Sequence, residues 1–273
     1  MLLLSFFVTL LAFVILWAVH VPLKNAGVVD FYWGPGFAVI GLFYFIASES
    51  FSTAQSLFLL LICIWAARLS LYLISRFAKD AVEDRRYSAM RRNGGEHFWW
   101  RSLFKIFALQ AVIMWIVASP LHVALNTEKD TTALSGLIIF GIVLFLAGLL
   151  FECVADQQLS KFKDANPDSD ALLTNGLWSW SRHPNYFGEA VLWWGLGVIA
   201  YAISGSLVAF AGPAVLTSVM MGVSGVLTDK HMAESRKQKY VSYFQTTSAL
   251  FPIPPGMRAN AKTASTKKDR SAV

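Results

Sequence analysis

Residues 134–163 read LSGLIIFGIVLFLAGLLFECVADQQLSKFK. The run Leu134–Phe151 carries no charge and is long enough to cross roughly 30 Å of hydrocarbon. It must be helical, because a lone strand would leave its backbone groups unpaired in lipid. Glu152 and Asp156 follow four residues apart on one helical face, with Lys163 two turns beyond Asp156 on roughly the same face, so the helix is predicted to continue past the membrane.

Working outward from that stretch, comparable apolar runs occur at Leu2–Val19, Phe31–Ala47, Leu57–Ile74, Leu103–Leu125, Tyr186–Ile203 and Leu207–Val226. The 273 residues are 56% hydrophobic and only 15% charged, with a mean hydropathy of +0.52, a balance too apolar for a soluble fold to hide. The expectation is an all-α polytopic membrane helix bundle of about seven transmembrane helices. Residues 1–256 form a single integral membrane domain in this reading, and 257–273, rich in Ala, Ser, Thr and Lys, form a disordered basic tail.

The net charge of +6 raises nucleic acid as a partner, but the positions of the charges decide otherwise. Threading seven spans puts Lys24, the Arg76–Lys105 segment, Lys161, Lys163, Arg182 and the C-terminus on one face, and only Lys129 on the other. That asymmetry follows the positive-inside rule, with the C-terminus cytoplasmic and the N-terminus outside or lumenal, in a bacterial inner membrane or the endoplasmic reticulum. Met1–Phe7 lacks the basic start of a signal peptide, so the first run is kept as a span. The membrane is the expected surrounding and nucleic acid is not a partner. The sequence does not fix an oligomeric state.

The two cysteines, Cys63 and Cys153, form no Cys-x-x-Cys, and the histidines stand apart, so neither disulfide nor metal is expected. No Gly-x-Gly-x-x-Gly follows a strand, which excludes a Rossmann turn for any dinucleotide. The outward connections Ser48–Gln55, Asn126–Thr132 and Ser204–Ser206 are short, whereas Ser75–Arg101 and Glu152–Asn185 are long, charged and aromatic. Long connections of that kind carry function more often than plain turns do.

The strongest local signal is Gly176-Leu-Trp-Ser-Trp-Ser-Arg-His-Pro-Asn-Tyr-Phe-Gly-Glu189 at the start of the sixth span. Pro184 suits a first helical turn, which places that helix's amides beside Arg182 and His183 and makes an anion site. An interfacial belt of Trp178, Trp180 and Tyr186 is the plainer reading, although it has no use for Asn185 or Glu189. A second cluster, Asn25 followed by Asp30-Phe-Tyr-Trp-Gly-Pro-Gly36, sets an acid at the mouth of the second span, where it either caps a helix or works as an intramembrane acid. Arg68 either snorkels to the interface or pairs with an acid such as Asp30 or Glu152. In the basic segment around Glu83-Asp-Arg-Arg-Tyr87, topology explains most charges, and Tyr87 stands out.

Ser181-Arg-His-Pro-Asn-Tyr-Phe-Gly-Glu189 resembles the C-terminal signature of the steroid 5α-reductase family, shared with sterol C14 reductases, and a shorter Arg-His-Pro core also occurs in isoprenylcysteine methyltransferases. Phe151-Glu-x-x-Ala-Asp-Gln157, Asp30-x-x-Trp-Gly34 and Glu83-Asp-Arg-Arg-Tyr87 resemble a microbial branch of that superfamily, with the signature region at about 130–256. The resemblance implies NADPH among the cytoplasmic helix ends, contacted by Asp156, Lys163, Arg182, His183, Asn185, Tyr186 and Glu189. It departs from the animal enzymes in lacking a Gln-Glu pair in the second span, where Asp30, Tyr32 and Trp33 stand instead.

The function so implied is an NADPH-dependent reductase that saturates a carbon–carbon double bond conjugated to a carbonyl in a steroid or other lipid drawn from the bilayer. Tyr87 is the expected donor to the developing enolate oxygen, with Asp30 polarising it or relaying a proton. Two alternatives are a membrane methyltransferase using S-adenosylmethionine and a non-enzymatic lipid-binding protein.

Overall fold

The computed structural model describes all residues except 49–50, 80–82, 129–134, 167–170, 256 and 258–273, and leaves out the side chains of 78, 79, 85, 237 and 238. Lys129 and the tail beyond 257 therefore lie outside the described residues. Seven helical stretches are long and apolar enough to cross a membrane: Leu2–Leu23, Ala26–Ala47, Thr53–Phe77, Arg86–Val117, Gly136–Ala165, Pro184–Ser204 and Leu207–Arg236. Each matches one apolar run in the sequence. The protein is an all-α, multi-pass membrane protein.

The chain divides into two compact units, Met1–Ile142 with Gly195–Val215, and Val143–Trp194 with Leu216–Val273. In the first, α1 (Leu2–Leu23) ends on Lys24 in the left-handed conformation, unusual for a side chain with a Cβ. A 3-10 turn, Ala26–Tyr32, then feeds α2 (Trp33–Ala47), and its cap is Asn25, whose side chain accepts from the Gly27 amide at 2.9 Å. Asn25 thus caps the 3-10 turn, α2 itself begins without a side-chain cap, and the Asp30 carboxylate is left to other partners.

Next come α3 (Thr53–Lys79), α4 (Arg85–Gly94) and α5 (Phe98–Ser102), which runs through a π turn into α6 (Leu109–Val117). Much of the basic stretch expected as a connection is therefore helix, with α4 capped by Asp84 onto the Arg86 amide. The fourth apolar run breaks at Ala118, and α7 (Ser119–Leu125) starts afresh with Pro120 in its first turn, where a missing amide costs nothing. Arg68 lies with its guanidinium 5.5 Å from the centre of the Tyr72 ring, one turn along α3.

The second unit is built on the cytoplasm-directed half expected of α8 (Gly136–Ala165), the start of α9 (Pro184–Ser204) and, beyond α10 (Ala211–Val219) and a second π turn, α11 (Val226–Thr246). Gly148 and Gly188 let α8 and α9 touch backbone to backbone. A Cβ on Gly148 would stand 2.6 Å from the Gly188 carbonyl oxygen, and one on Gly188 would stand 2.8 Å from that of Gly148. As expected from the sequence, α8 runs on unbroken past Glu152 and Asp156, and α9 begins at Pro184.

Candidate active site

The first unit brings polar side chains from distant parts of the sequence into one hydrogen-bonded chain. The Tyr87 hydroxyl on α4 donates to Asp30 Oδ1 at 2.8 Å, and Gln110 on α6 donates its amide N–H to the Tyr87 oxygen at 3.1 Å. Trp33 Nε1–H in turn donates to Gln110 Oε1 at 2.7 Å, and Arg86 approaches the other Asp30 oxygen at 3.9 Å. Tyr87 is buried. Polar groups so placed are costly unless bonded to one another, and this chain satisfies each link in turn.

What holds Tyr87 against Asp30 is Glu83. Its carboxylate accepts from the Ala26 backbone amide at 2.7 Å and from Arg91 at 2.7 and 3.1 Å, so one side chain fastens the turn bearing Asp30 to the helix bearing Tyr87. Burial alone would push the Glu83 carboxyl up, but the Arg91 guanidinium, the Ala26 N–H and the Ser88 hydroxyl hold it below the usual range. Arg91 also lies 4.5 Å over the Phe98 ring. Topology was the sequence's reason for these charges, whereas the structure gives Glu83 and Arg91 specific bonds.

In the second unit Asp229 is the hub. Arg182 meets it at 2.8 Å through Nη2, His183 Nε2 lies 3.1 Å from Oδ1, and the Tyr240 hydroxyl donates to the same oxygen. An ionised carboxylate only accepts, so His183 Nε2 carries the proton. Arg182 Nη1 donates to the Thr247 and Phe244 carbonyls at 2.7 and 3.1 Å, and the guanidinium lies 4.1 Å over the Phe244 ring. Arg182 is thus a strut between the segment before α9 and the end of α11. Burial, reinforced by the Asp229 carboxylate, raises the Tyr240 phenol well above its ordinary range.

A short strap completes this arrangement. The Arg182 amide donates to the Ser248 carbonyl at 2.8 Å, the Ser181 hydroxyl to that of Ala249 at 3.0 Å, and the Ile253 amide to that of Trp180 at 3.0 Å. Tyr243 on α11 donates to the Trp178 carbonyl. The signature tryptophans are therefore held through their carbonyl oxygens, Trp180 by the Ile253 amide and Trp178 by the Tyr243 hydroxyl.

Of the expected residues, Asp30 and Tyr87 meet in the first unit. In the second, Arg182 and His183 share Asp229, and Tyr186 stacks on the His183 ring at 5.2 Å and 11°. Asn185 donates to Asp156 at 3.3 Å, a bond permitted by the glycine contact between α8 and α9. Asp156 and Glu152 are buried, Glu189 is half-buried, and Lys163 is exposed near the end of α8. Asp229, Tyr240 and Gln110 were missed by sequence reasoning. An acid just beyond the seventh apolar run and an amide inside the fourth were the available signals. Among the described residues no group of three or more His, Cys, Asp or Glu gathers as a metal site.

An uncharacterized protein of Schizosaccharomyces pombe is 28% identical over 204 residues, which cover 66% of this chain and 58% of that protein. The steroid 5-alpha-reductase DET2 of Arabidopsis thaliana is 30% identical over 67 residues, 24% of this chain and 26% of that enzyme. The chain thus spans less than two thirds of the length of either relative. No solved structure matches. The profile of the family described as "Protein of unknown function (DUF1295)" matches residues 16–247, most of the chain, and to that family this membrane protein belongs.

Proposed function

We propose that the protein is an NADPH-dependent membrane reductase that saturates a carbon–carbon double bond conjugated to a carbonyl in a steroid or other lipid. The observation that carries this reading is the buried Tyr87 hydroxyl, donating to Asp30 and accepting from Gln110. Hydride delivered to the β carbon of an enone leaves negative charge on the carbonyl oxygen. A neutral phenol can bond that oxygen without a permanent charge in lipid, and its O–H turns from Asp30 to a new acceptor by rotation about one bond. NADPH, when bound, would supply the hydride, and a proton taken up at the α carbon would complete the reduction.

The partial similarity to a steroid 5-alpha-reductase supports the reaction class and suggests the cofactor. For the cofactor contacts we assign Asp156, Lys163, Asn185, Tyr186 and Glu189 to direct binding. Arg182 and His183, both held by Asp229, set the first turn of α9 in place. That division refines the expectation that Arg182 itself grips phosphate. The cytoplasmic orientation of these helix ends rests on the distribution of Lys and Arg.

The test is to compare NADPH, NADH and S-adenosylmethionine as thermal stabilisers of the detergent-solubilised protein, then to follow NADPH oxidation against a panel of lipid and steroid enones. Stabilisation by NADPH with enone-dependent oxidation supports the proposal. Stabilisation by S-adenosylmethionine alone would make it a methyltransferase, and no response to any of the three would leave a lipid-binding protein.

A further inference from the structure

A cavity of about 490 Å³ opens in the first unit at the end where α1 begins. Leu2, Ile116, Val123 and Val208 give its apolar lining, and Trp115, Ser119 and His122 are among its polar groups. The Asp30 and Tyr87 pair follows directly on the other end of α1, whose 22 residues span about 33 Å. The cavity is thus separate from the candidate active site, and its size falls within the range of small-molecule pockets.

Its inner wall is fixed by a ring of hydrogen bonds. Trp115 Nε1–H donates to Ser5 Oγ at 3.2 Å, His122 Nε2 bonds the Trp115 carbonyl at 2.9 Å, and the Tyr44 hydroxyl lies 3.1 Å from His122 Nδ1. A carbonyl only accepts, so Nε2 bears the proton and Nδ1 accepts from Tyr44. Both nitrogens of His122 are therefore committed, and the two rings present fixed, uncharged surfaces. Ser119 differs. It is buried, and its oxygen accepts from the Gly212 amide at 2.7 Å, but its own O–H meets no acceptor among the described residues.

The outer walls point to the kind of ligand. Leu2, Ile116 and Val208 remain 47%, 37% and 55% exposed, apolar surface suited to an acyl chain or ring system. Among the described lining residues none is charged, so an ionic headgroup would lose its hydration without a counter-charge. We propose that this cavity is a binding site for a neutral lipid whose hydroxyl or carbonyl oxygen accepts a hydrogen bond from Ser119. It is a second lipid site, independent of any reductase chemistry.

The experiment uses the full chain in detergent with a diazirine-bearing monoacylglycerol, mapping the labelled residues by mass spectrometry. Labelling is expected at Ile116, Val123 and Val208, saturable and displaced by unlabelled monoacylglycerol but not by lysophosphatidic acid of the same chain length. Val123→Trp and Val208→Trp, each filling the cavity from one side, should reduce it about tenfold while a lipid-facing control, Leu146→Trp, leaves it unchanged. Labelling spread evenly over lipid-facing helices, equal displacement by the charged lipid, or full labelling in both filled variants would overturn the assignment. None of these readouts depends on NADPH, so a failed reductase assay leaves the result intact.

Discussion

Tyr87 and Asp30, 57 residues apart in sequence, are joined by a 2.8 Å hydrogen bond, with the tyrosine buried and its oxygen also accepting from Gln110. If Tyr87 is the donor to the substrate oxygen, Tyr87→Phe removes one bond that strengthens in the transition state. The turnover rate should fall about 100-fold or more while the thermal shift given by NADPH is kept. A variant that turns over at the wild-type rate would remove Tyr87 from the chemistry.

Glu83 fastens Tyr87's helix to Asp30's turn, and its carboxyl lies below the usual range in the folded protein. A group depressed on folding contributes stability above its unfolded pKa and loses that contribution as pH falls through the folded value. Glu83→Gln should therefore cost about 1.5–3 kcal/mol near neutral pH. The gap between variant and wild type should narrow as the pH drops below the ordinary glutamate range. Melting curves across that range read it, and a gap independent of pH would mean that the charge of Glu83 is not what matters.

Arg182→Ala leaves Asp229 its bonds from His183 and Tyr240 but removes its guanidinium partner in a nearly buried place, a loss of about 3 kcal/mol for a broken buried pair. Arg182→Lys should recover little, since an ammonium cannot reach the carboxylate and two carbonyls together. Pairing Arg182→Ala with Asp229→Asn should destabilise by less than the sum of the two single changes, which a double-mutant cycle on melting temperature detects.

The backbone contact at Gly148 and Gly188 gives a fourth expectation. Gly148→Leu must part α8 from α9, lowering the melting temperature by overpacking, about 1–3 kcal/mol, and separating Asn185 from Asp156. The thermal shift with NADPH should vanish in that variant. Gly136→Ala, where an added Cβ meets nothing within 4 Å, should leave melting and shift unchanged.

Span positions were readable in the sequence because hydrophobic length is a local property, and each of the seven runs falls on a helical stretch, the fourth broken at Ala118. The helix start at Pro184 and the continuation of α8 past Asp156 were equally local. Partnerships were not. Asp229 lies 47 residues from Arg182, and no spacing rule connects them. Asp30 read equally as a helix cap or an intramembrane acid, and only its distant partner Tyr87 separates the two, since α2 begins without any side-chain cap. Glu83 and Arg91 were hidden among charges that topology explains without further purpose.

The strap pairing residues 180–182 with 248–253 sets an order of events during synthesis. The Arg-His-Pro segment leaves the ribosome long before Ile253 does, so for that interval its Trp180 carbonyl and Arg182 amide wait for strands of chain not yet made. The second unit can mature only after Ile253 has been made, whereas the Tyr87–Asp30 bond involves residues available much earlier. A premature stop just after α11 would thus yield a protein with every span in place and its signature turn unlatched.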